Sequence, residues 1–125
     1  MKRLFNEIAT LLAEQYPEAT HVLTGENLGQ VPSQTLSNLG AIEMVTTLKP
    51  LRPLLGLDKT DIMSMARRLG TLKISEGPEV CDALGPAHPA TVANQEWLEK
   101  SETRSGGLNQ LAAKAFSLRK TIELS

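Results

Sequence analysis

The feature that most constrains the fold is a short apolar run at residues 19–24, followed by a loop with two glycines and then by apolar residues at helical spacing. The run predicts a buried strand, and the spacing behind it predicts a helix that continues to about Val45. Gly25 and Gly29 let the loop turn sharply and approach a ligand closely, and Ser33 is placed to cap the helix. The start of a helix at the carboxyl end of a parallel strand is a common binding site for phosphate or carboxylate groups. A well-capped turn that binds nothing is the alternative.

The chain before and just after this unit predicts a crossover of strand, helix and strand. Apolar residues at helical spacing predict an amphipathic helix over 2–15, whose apolar side we expect in the core: Leu4, Phe5, Ile8, Leu11 and Leu12. The next helix should place Leu36, Leu39 and Ile42 inward. The β-branched residues at 45–48 predict a second parallel strand. Pro50 and Pro53 exclude a regular strand from the segment around Arg52.

The remainder predicts further helices and one long loop. Asp58 should cap a helix that Gly70 ends, with Ile62, Met65, Ala66 and Leu69 inward. Residues 71–75 predict a third short strand, and the glycines and prolines of 76–91 predict an irregular loop. A helix with Val92 and Trp97 should run to about 102, and a last helix over 108–122 should dock on its own domain. A contact with a partner subunit is the alternative for that last helix.

Composition limits the class of protein. The formal charge is −1 with acids and bases mixed, so no basic block grips a nucleic-acid backbone unaided. The apolar runs are too short to span a membrane, and the start does not resemble a signal peptide. One cysteine cannot form an internal disulfide, and we expect a cytoplasmic protein.

Four segments in order resemble one family. These are TGENLGQVPSQT at 24–35, LRPLLGLDK at 51–59, ARRLGT at 66–71, and PEVC at 78–81 followed by PAHPAT at 86–91. They are similar to signatures of the tRNA 4-thiouridine synthases, the ThiI-type sulfurtransferases that also serve thiamine biosynthesis. The resemblance implies an α/β fold, the second half of a Rossmann-like PP-loop ATP pyrophosphatase domain with a helical tail. We expect residues 1–91 to form that half and 92–125 to form the tail.

The resemblance also implies a set of site residues. The loop residues expected near a bound nucleotide are Gly25, Glu26, Asn27, Gly29, Gln30 and Gln34. ATP and Mg²⁺ are the implied cofactors, and no resident metal site is expected. Glu26 could orient the nucleotide or the magnesium ion through water. Gln30 and Gln34 could bind a base edge or ribose, or only cap the helix.

Cys81 is the expected sulfur-handling thiol. A lone cysteine is by default a small buried apolar residue, but this one lies in a loop rich in proline and glycine. In the family, the matching cysteine takes part in persulfide or disulfide steps of sulfur transfer. Glu79 and Asp82 disfavour a thiolate, so activation must come from elsewhere, such as His88 or Arg52. Some family members have closely spaced cysteines in this loop, and here a second thiol would come from another protein.

Arg52 has two interpretations. It is either a structural arginine that bridges loop carbonyls or a carboxylate, or a contact to phosphate or RNA. His21 lies in the first strand and is expected to be a packed or edge residue.

The family's SGGxDS phosphate loop has no match in this sequence, because Ser105-Gly106-Gly107 follows a polar helix and not a strand. In family order that loop, and the RNA-binding modules before it, would lie upstream of Met1. We therefore expect either a homo-oligomer or a separately encoded half that carries the missing loop. A cysteine desulfurase is the implied sulfur donor, and tRNA would bind only through a partner RNA-binding module.

Two functions follow from these observations. The first is a component of an ATP-dependent tRNA sulfurtransferase that makes 4-thiouridine, linked to thiamine thiazole synthesis. The alternative is a non-catalytic split or degenerate PP-loop module that binds a nucleotide or a partner without adenylation.

Overall fold

The computed structural model describes residues 1–29, 31, 33–77 and 90–123. The elements, in chain order, are α1 (Lys2–Ala13), β1 (His21–Leu23), α2 (Leu36–Glu43), β2 (Lys49–Leu51), α3 (Lys59–Arg68), α4 (Leu72–Ser75), α5 (Gln95–Arg104) and α6 (Leu108–Ser117). The combination of helices with a small parallel sheet confirms the predicted α/β class. In the described ranges, no helix is long and apolar enough to cross a membrane.

The described sheet has two parallel strands, with Val22 of β1 opposite Pro50 of β2. The first strand lies where it was predicted. The second strand was predicted at 45–48 but lies at Lys49–Leu51, and the prediction that Pro50 excludes a strand there was wrong. Lys49 donates its N–H to Thr20 O at 3.0 Å, and Leu51 O accepts from Thr24 N at 2.9 Å. The backbone nitrogen of Pro50 therefore faces away from β1, so its missing N–H costs this ladder no hydrogen bond.

Helix α1 packs against α2 and α6, but its predicted core face was partly wrong. Phe5 and Leu12 are 58% and 43% exposed, whereas the buried residues of α1 are the polar Arg3 and Asn6. Asn6 Nδ2 donates to Ile42 O at 3.0 Å, which ties α1 to α2. Polar side chains are buried here because backbone carbonyls and a carboxylate are available to pair with them.

Helix α2 begins later than predicted. Its N-cap is Thr35, whose side chain accepts a hydrogen bond from Asn38 N at 3.2 Å, and not Ser33. The shift places Leu39 in the core, at 3% exposed, and leaves Leu36 71% exposed, so the inward position predicted for Leu36 was wrong.

Helix α3 has Asp58 at the N-cap position, although the Asp58 side chain makes no capping hydrogen bond, and Gly70 lies in the left-handed region just after the helix. Its predicted inward residue Leu69 is wrong, because that side chain is 74% exposed. The third strand predicted at 71–75 is instead helix α4, in which Ser75 N donates to Thr71 O at 3.1 Å. A helical turn satisfies these backbone groups locally, without a neighbouring strand.

Helices α5 and α6 are joined by Gly106 and Gly107, both at positive φ, as the predicted break requires. Asn94 caps α5 by accepting from Trp97 N at 2.8 Å. Val92 therefore precedes that helix, and Ile122 lies beyond the end of α6. Helix α6 packs on α1 around the fully buried Ala112, which confirms docking on its own chain.

Candidate functional site

The two-glycine loop lies beside the loop that follows β2. Parallel strands end at the same edge of a sheet, so the residues after Leu23 and those after Leu51 emerge next to each other. Leu28 N donates to Leu55 O at 3.0 Å, which joins the two loops directly. We call residues 24–35 the signature loop and residues 52–57 the β2 loop.

Asn27 fastens the signature loop to the β2 loop. Its side chain is almost wholly buried, at 4% exposed. Its Nδ2 donates to Leu54 O at 2.6 Å and to Leu57 O at 2.5 Å. Both amide hydrogens are thus used to join the two loops, and the side chain acts as a clamp between them.

Gly29 and Gln34 fix the far end of the signature loop. Gly29 has φ +77°, a conformation that strains residues with a side chain. Its N–H donates to Gln34 O at 3.2 Å, and Gln34 Oε1 accepts from Asn27 N at 3.3 Å. Gly25 has no positive φ, and no atom lies within 4 Å of the position that a Cβ would take there, so the sharp turn depends on Gly29.

Glu26 is buried in a cluster of charges, at 8% exposed. Its carboxylate accepts from Arg52 Nε at 2.7 Å, from Lys2 Nζ at 3.0 Å and from Thr24 Oγ1 at 3.3 Å. Burial acts to raise the pKa of Glu26, but the hydrogen bonds and charges of Arg52 and Lys2 outweigh it and lower that pKa. Glu26 is therefore ionised at neutral pH.

Arg52 links β2 to both the signature loop and α2. Its guanidinium donates through Nε to Glu26 and through Nη1 to Glu43. Burial acts to lower the pKa of Arg52, but the hydrogen bonds to Glu26 and Glu43 outweigh it and raise that pKa. This geometry agrees with the interpretation of Arg52 as a structural arginine that bridges carboxylates. We call Lys2, Glu26, Glu43 and Arg52 the Glu26 cluster, and its formal charges sum to zero.

The Glu26 cluster borders a cavity of about 170 Å³ between the sheet, α1 and α2. Small-molecule sites usually measure about 300–1,000 Å³, so this space is too small to hold a nucleotide. A larger cavity of about 510 Å³ lies between α1, α2 and α5, and Ser33 is the only described residue of the signature loop that lines it. In the part of the chain that the structure describes, no three histidine, cysteine or acidic side chains are grouped to hold a metal ion. Among the described residues, the signature loop therefore borders no enclosed cavity of the size that a nucleotide needs.

Not every predicted site residue falls in the described ranges. Gly25, Glu26, Asn27, Gly29, Gln34 and Arg52 come together at the carboxyl ends of β1 and β2. Gln30, Cys81 and His88 lie outside the described residues. His21 is exposed and shares a 2.8 Å hydrogen bond with Thr20 Oγ1.

Lys2 and Glu43 were missed as members of this site. Their contacts with Glu26 and Arg52 cross between α1, α2 and the loops, over separations of 24 and 9 residues. The sequence did offer one signal, which is the position of Arg52 between two prolines. An arginine held so near a strand end is partly buried and needs a carboxylate partner, so an acidic residue could have been expected beside it.

The comparisons with known proteins identify the family and the fold. Residues 1–105 match the family model described as thiamine biosynthesis protein (ThiI). The chain belongs to the ThiI family. It is 44% identical over 121 residues to a probable tRNA sulfurtransferase of Thermotoga maritima. The alignment covers 95% of this chain and 31% of that protein. It is also 38% identical over 117 residues to a probable tRNA sulfurtransferase of Coxiella burnetii. That alignment covers 90% of this chain and 30% of that protein.

A solved structure of a 4-thiouridine synthetase in complex with RNA and bound ATP shares the fold. The TM-score is 0.82 at 42% identity, over 95% of this chain and 31% of that chain. This ThiI-family chain therefore spans about a third of the length of these relatives. The predicted resemblance to the 4-thiouridine synthases is confirmed.

Proposed function

We propose that this chain supplies the carboxyl-terminal half of the ATP-binding domain of a tRNA sulfurtransferase that makes 4-thiouridine, with a link to thiamine thiazole synthesis. The observation that carries the proposal is the signature loop, which Asn27 clamps to the β2 loop beyond the carboxyl ends of two parallel strands. That edge is where open α/β sheets bind ligands. The relatives named as tRNA sulfurtransferases, and the solved synthetase that binds ATP and RNA, support this assignment.

The signature loop would border the nucleotide mainly through its backbone. The side chains of Glu26 and Asn27 are buried and already paired with protein groups, so we propose that they position the loop. Gly25 and Gly29 leave its backbone open to close approach. Gln30 and Gln34 remain proposed nucleotide contacts. Mg²⁺ would arrive with ATP, bound to its phosphates.

Arg52 has a second proposed role. Two carboxylates bind it, and a phosphate or RNA oxygen would add a third anion to a site that is now neutral. We propose this contact for Arg52 Nη2, because Glu26 and Glu43 accept from Nε and Nη1.

Cys81 is the proposed sulfur carrier. The C4 carbonyl oxygen of uridine would bond to the α-phosphorus of ATP, and pyrophosphate would leave. The outer sulfur of a Cys81 persulfide would then attack C4, and AMP would leave. A second thiol would attack the Cys81 sulfur and release the thiouridine, and the two cysteine sulfurs would remain as a disulfide. The sequence has one cysteine, so that thiol would lie outside these 125 residues.

Several partners complete this proposal. An SGGxDS phosphate loop must bind the pyrophosphate of ATP, and this sequence does not contain one. An RNA-binding module would hold the tRNA, and a cysteine desulfurase would load the sulfur, in the cytoplasm. Residues 1–91 would form the α/β half, and 92–125 its helical extension. A non-catalytic PP-loop module that binds a nucleotide or a partner without adenylation is the second candidate.

A chimaera tests the two candidates. The matched third of the Thermotoga maritima relative is replaced by this chain, and 4-thiouridine is measured in tRNA after reaction with ATP, Mg²⁺, cysteine and a cysteine desulfurase. We expect 4-thiouridine in the chimaera and none in its Cys81→Ser variant, while both still bind ATP in calorimetry. A chimaera that binds ATP but forms no 4-thiouridine would support the non-catalytic module.

A further inference from the structure

Residues 90–93, which precede the N-cap of α5, are fastened to the first turn of α2. Thr35 Oγ1 donates to Thr91 O at 2.7 Å, and Asn38 Nδ2 donates to Ala90 O at 2.7 Å. Residues 90–93 belong to no helix or strand. Side chains at the start of α2 therefore pair backbone carbonyls that regular secondary structure does not pair.

A third hydrogen bond completes this attachment. Ala93 N donates to Ser37 Oγ at 3.2 Å. We call Thr35, Ser37 and Asn38 the α2 anchor, and residues 90–93 the anchored segment. The three contacts lie near solvent, so each is weak alone. All three must nevertheless break before the anchored segment can leave α2.

The α2 anchor also joins the signature loop to the anchored segment. Asn38 Nδ2 donates to Ser33 O at 2.9 Å as well as to Ala90 O. One side-chain amide therefore holds a carbonyl of the signature loop beside a carbonyl of the anchored segment. Asn27 joins the same loop to the β2 loop in a similar way. The signature loop is thus fixed to two other parts of the chain.

The anchored segment limits where the lone thiol can lie. Cys81 precedes Ala90 by nine residues, and nine residues span at most about 30 Å. Without the α2 anchor, the next fixed point on the carboxyl side is Asn94, the N-cap of α5. Asn94 is thirteen residues from Cys81, a span of at most about 45 Å. The α2 anchor therefore reduces the volume open to Cys81 about threefold.

We propose that Thr35, Ser37 and Asn38 are positioning residues that keep Cys81 within reach of the signature loop. For its role in catalysis the inference rests on the proposed function, in which a Cys81 persulfide attacks C4 of the adenylated uridine. The polar side-chain groups of the α2 anchor are already paired with backbone groups, so they need no contact with ATP or uridine. The rate of a transfer step depends steeply on the placement of the reacting groups. The α2 anchor should therefore affect the rate of sulfur transfer and not the affinity for ATP.

Disulfide trapping in the 125-residue chain tests the placement of Cys81 without enzymatic activity. Cys81 is the sole cysteine, so Val31→Cys, at a position of the signature loop that is 46% exposed, supplies one new partner thiol. Equilibration with glutathione buffers gives the effective concentration of the two thiols. We expect it to fall about threefold when Thr35→Val, Ser37→Ala and Asn38→Asp are combined, because every contact of the α2 anchor is then lost. Circular dichroism checks that this triple variant keeps its helices.

Two further variants control this measurement. Thr35→Ser keeps the hydroxyl and should retain the effective concentration at position 31, whereas Thr35→Val alone should lower it. Leu118→Cys places the second thiol at the end of α6, where the side chain is 70% exposed, and its effective concentration should not fall in the triple variant. An unchanged value at position 31 in the triple variant, or an equal fall at position 118, would overturn the inference.

The Thermotoga maritima chimaera tests the transfer step itself. The triple variant should lower kcat for 4-thiouridine formation about tenfold, and Thr35→Ser should not, while the Kd for ATP changes less than about twofold. A rise in that Kd that matches the loss of rate would overturn the positioning role. A chimaera that makes no 4-thiouridine would refute the proposed function alone, because disulfide trapping measures the placement of Cys81 independently. An active chimaera whose kcat the triple variant leaves unchanged would refute this inference alone.

Discussion

Replacing Asn27 by alanine tests whether one buried amide holds the signature loop. The variant loses two hydrogen bonds, to Leu54 O and Leu57 O, of 2.6 and 2.5 Å. Each contributes about 1 kcal/mol net, and the carbonyl oxygens left behind are partly buried, so the expected loss is about 2–4 kcal/mol of unfolding free energy. For a chain of this size, that corresponds to a fall in Tm of about 10 °C.

Asn38→Ala is the matched control. Asn38 Nδ2 also donates to two carbonyl oxygens, Ser33 O at 2.9 Å and Ala90 O at 2.7 Å, but its side chain is partly exposed. Water can replace those bonds, so we expect a loss below about 1 kcal/mol. Urea unfolding followed by circular dichroism measures both variants.

Amide hydrogen exchange locates the effect. The Leu28 amide donates to Leu55 O across the same two loops, so its exchange should accelerate in Asn27→Ala and stay unchanged in Asn38→Ala. Equal destabilisation by the two substitutions, or an unchanged Leu28 amide, would refute the clamp.

Three further predictions concern charge, backbone and packing. Glu26→Gln should lower the unfolding free energy by about 2 kcal/mol at neutral pH. The pKa of Glu26 is lowered in the folded protein, so the difference in stability from wild type should shrink as the pH falls below about 4. Acid-unfolding curves measure this difference. Gly29→Ala should lower stability by about 1 kcal/mol in urea unfolding, because φ is +77°, whereas Gly25→Ala should have little effect. Ala112→Leu should overpack the contact between α1 and α6, since Ala112 is fully buried. The unfolding free energy should fall by about 1–3 kcal/mol, measured by thermal unfolding.

Each of these predictions has a contradicting outcome. A pH-independent Glu26→Gln difference would show that the Glu26 cluster does not hold the carboxylate ionised. Equal effects at the two glycines would remove the backbone argument for Gly29. A neutral Ala112→Leu substitution would show that α6 is not closely packed on α1.

The limits of α3, the break before α6 and the family motifs were predictable because their signals are local. Asp58 and Gly70 mark the limits of α3, and the two adjacent glycines mark the break before α6. Such residues act through their own backbone conformation, so neighbouring sequence is enough to identify them.

Contacts between distant segments were not predictable in the same way. The second strand was misplaced because proline usually breaks a strand, and the tolerance of Pro50 depends on which side of the strand faces β1. Arg3 and Asn6 were not predicted to be buried, because their partners Ala41 O and Ile42 O lie on α2. At the site, the sequence located the signature loop, but the pairing of Glu26 with Arg52 depends on how two strands end side by side.

The buried Arg3 has a consequence for the order of folding. Its guanidinium donates to Ala41 O at 2.7 Å and to the two carboxylate oxygens of Glu102 at 2.6 and 3.1 Å, a partner 99 residues away. Closing so long a stretch of chain is slow compared with forming a helix. Until α5 arrives, the amino-terminal helix therefore carries a cation without its carboxylate, and a chain that stopped before Glu102 would keep that cation unpaired.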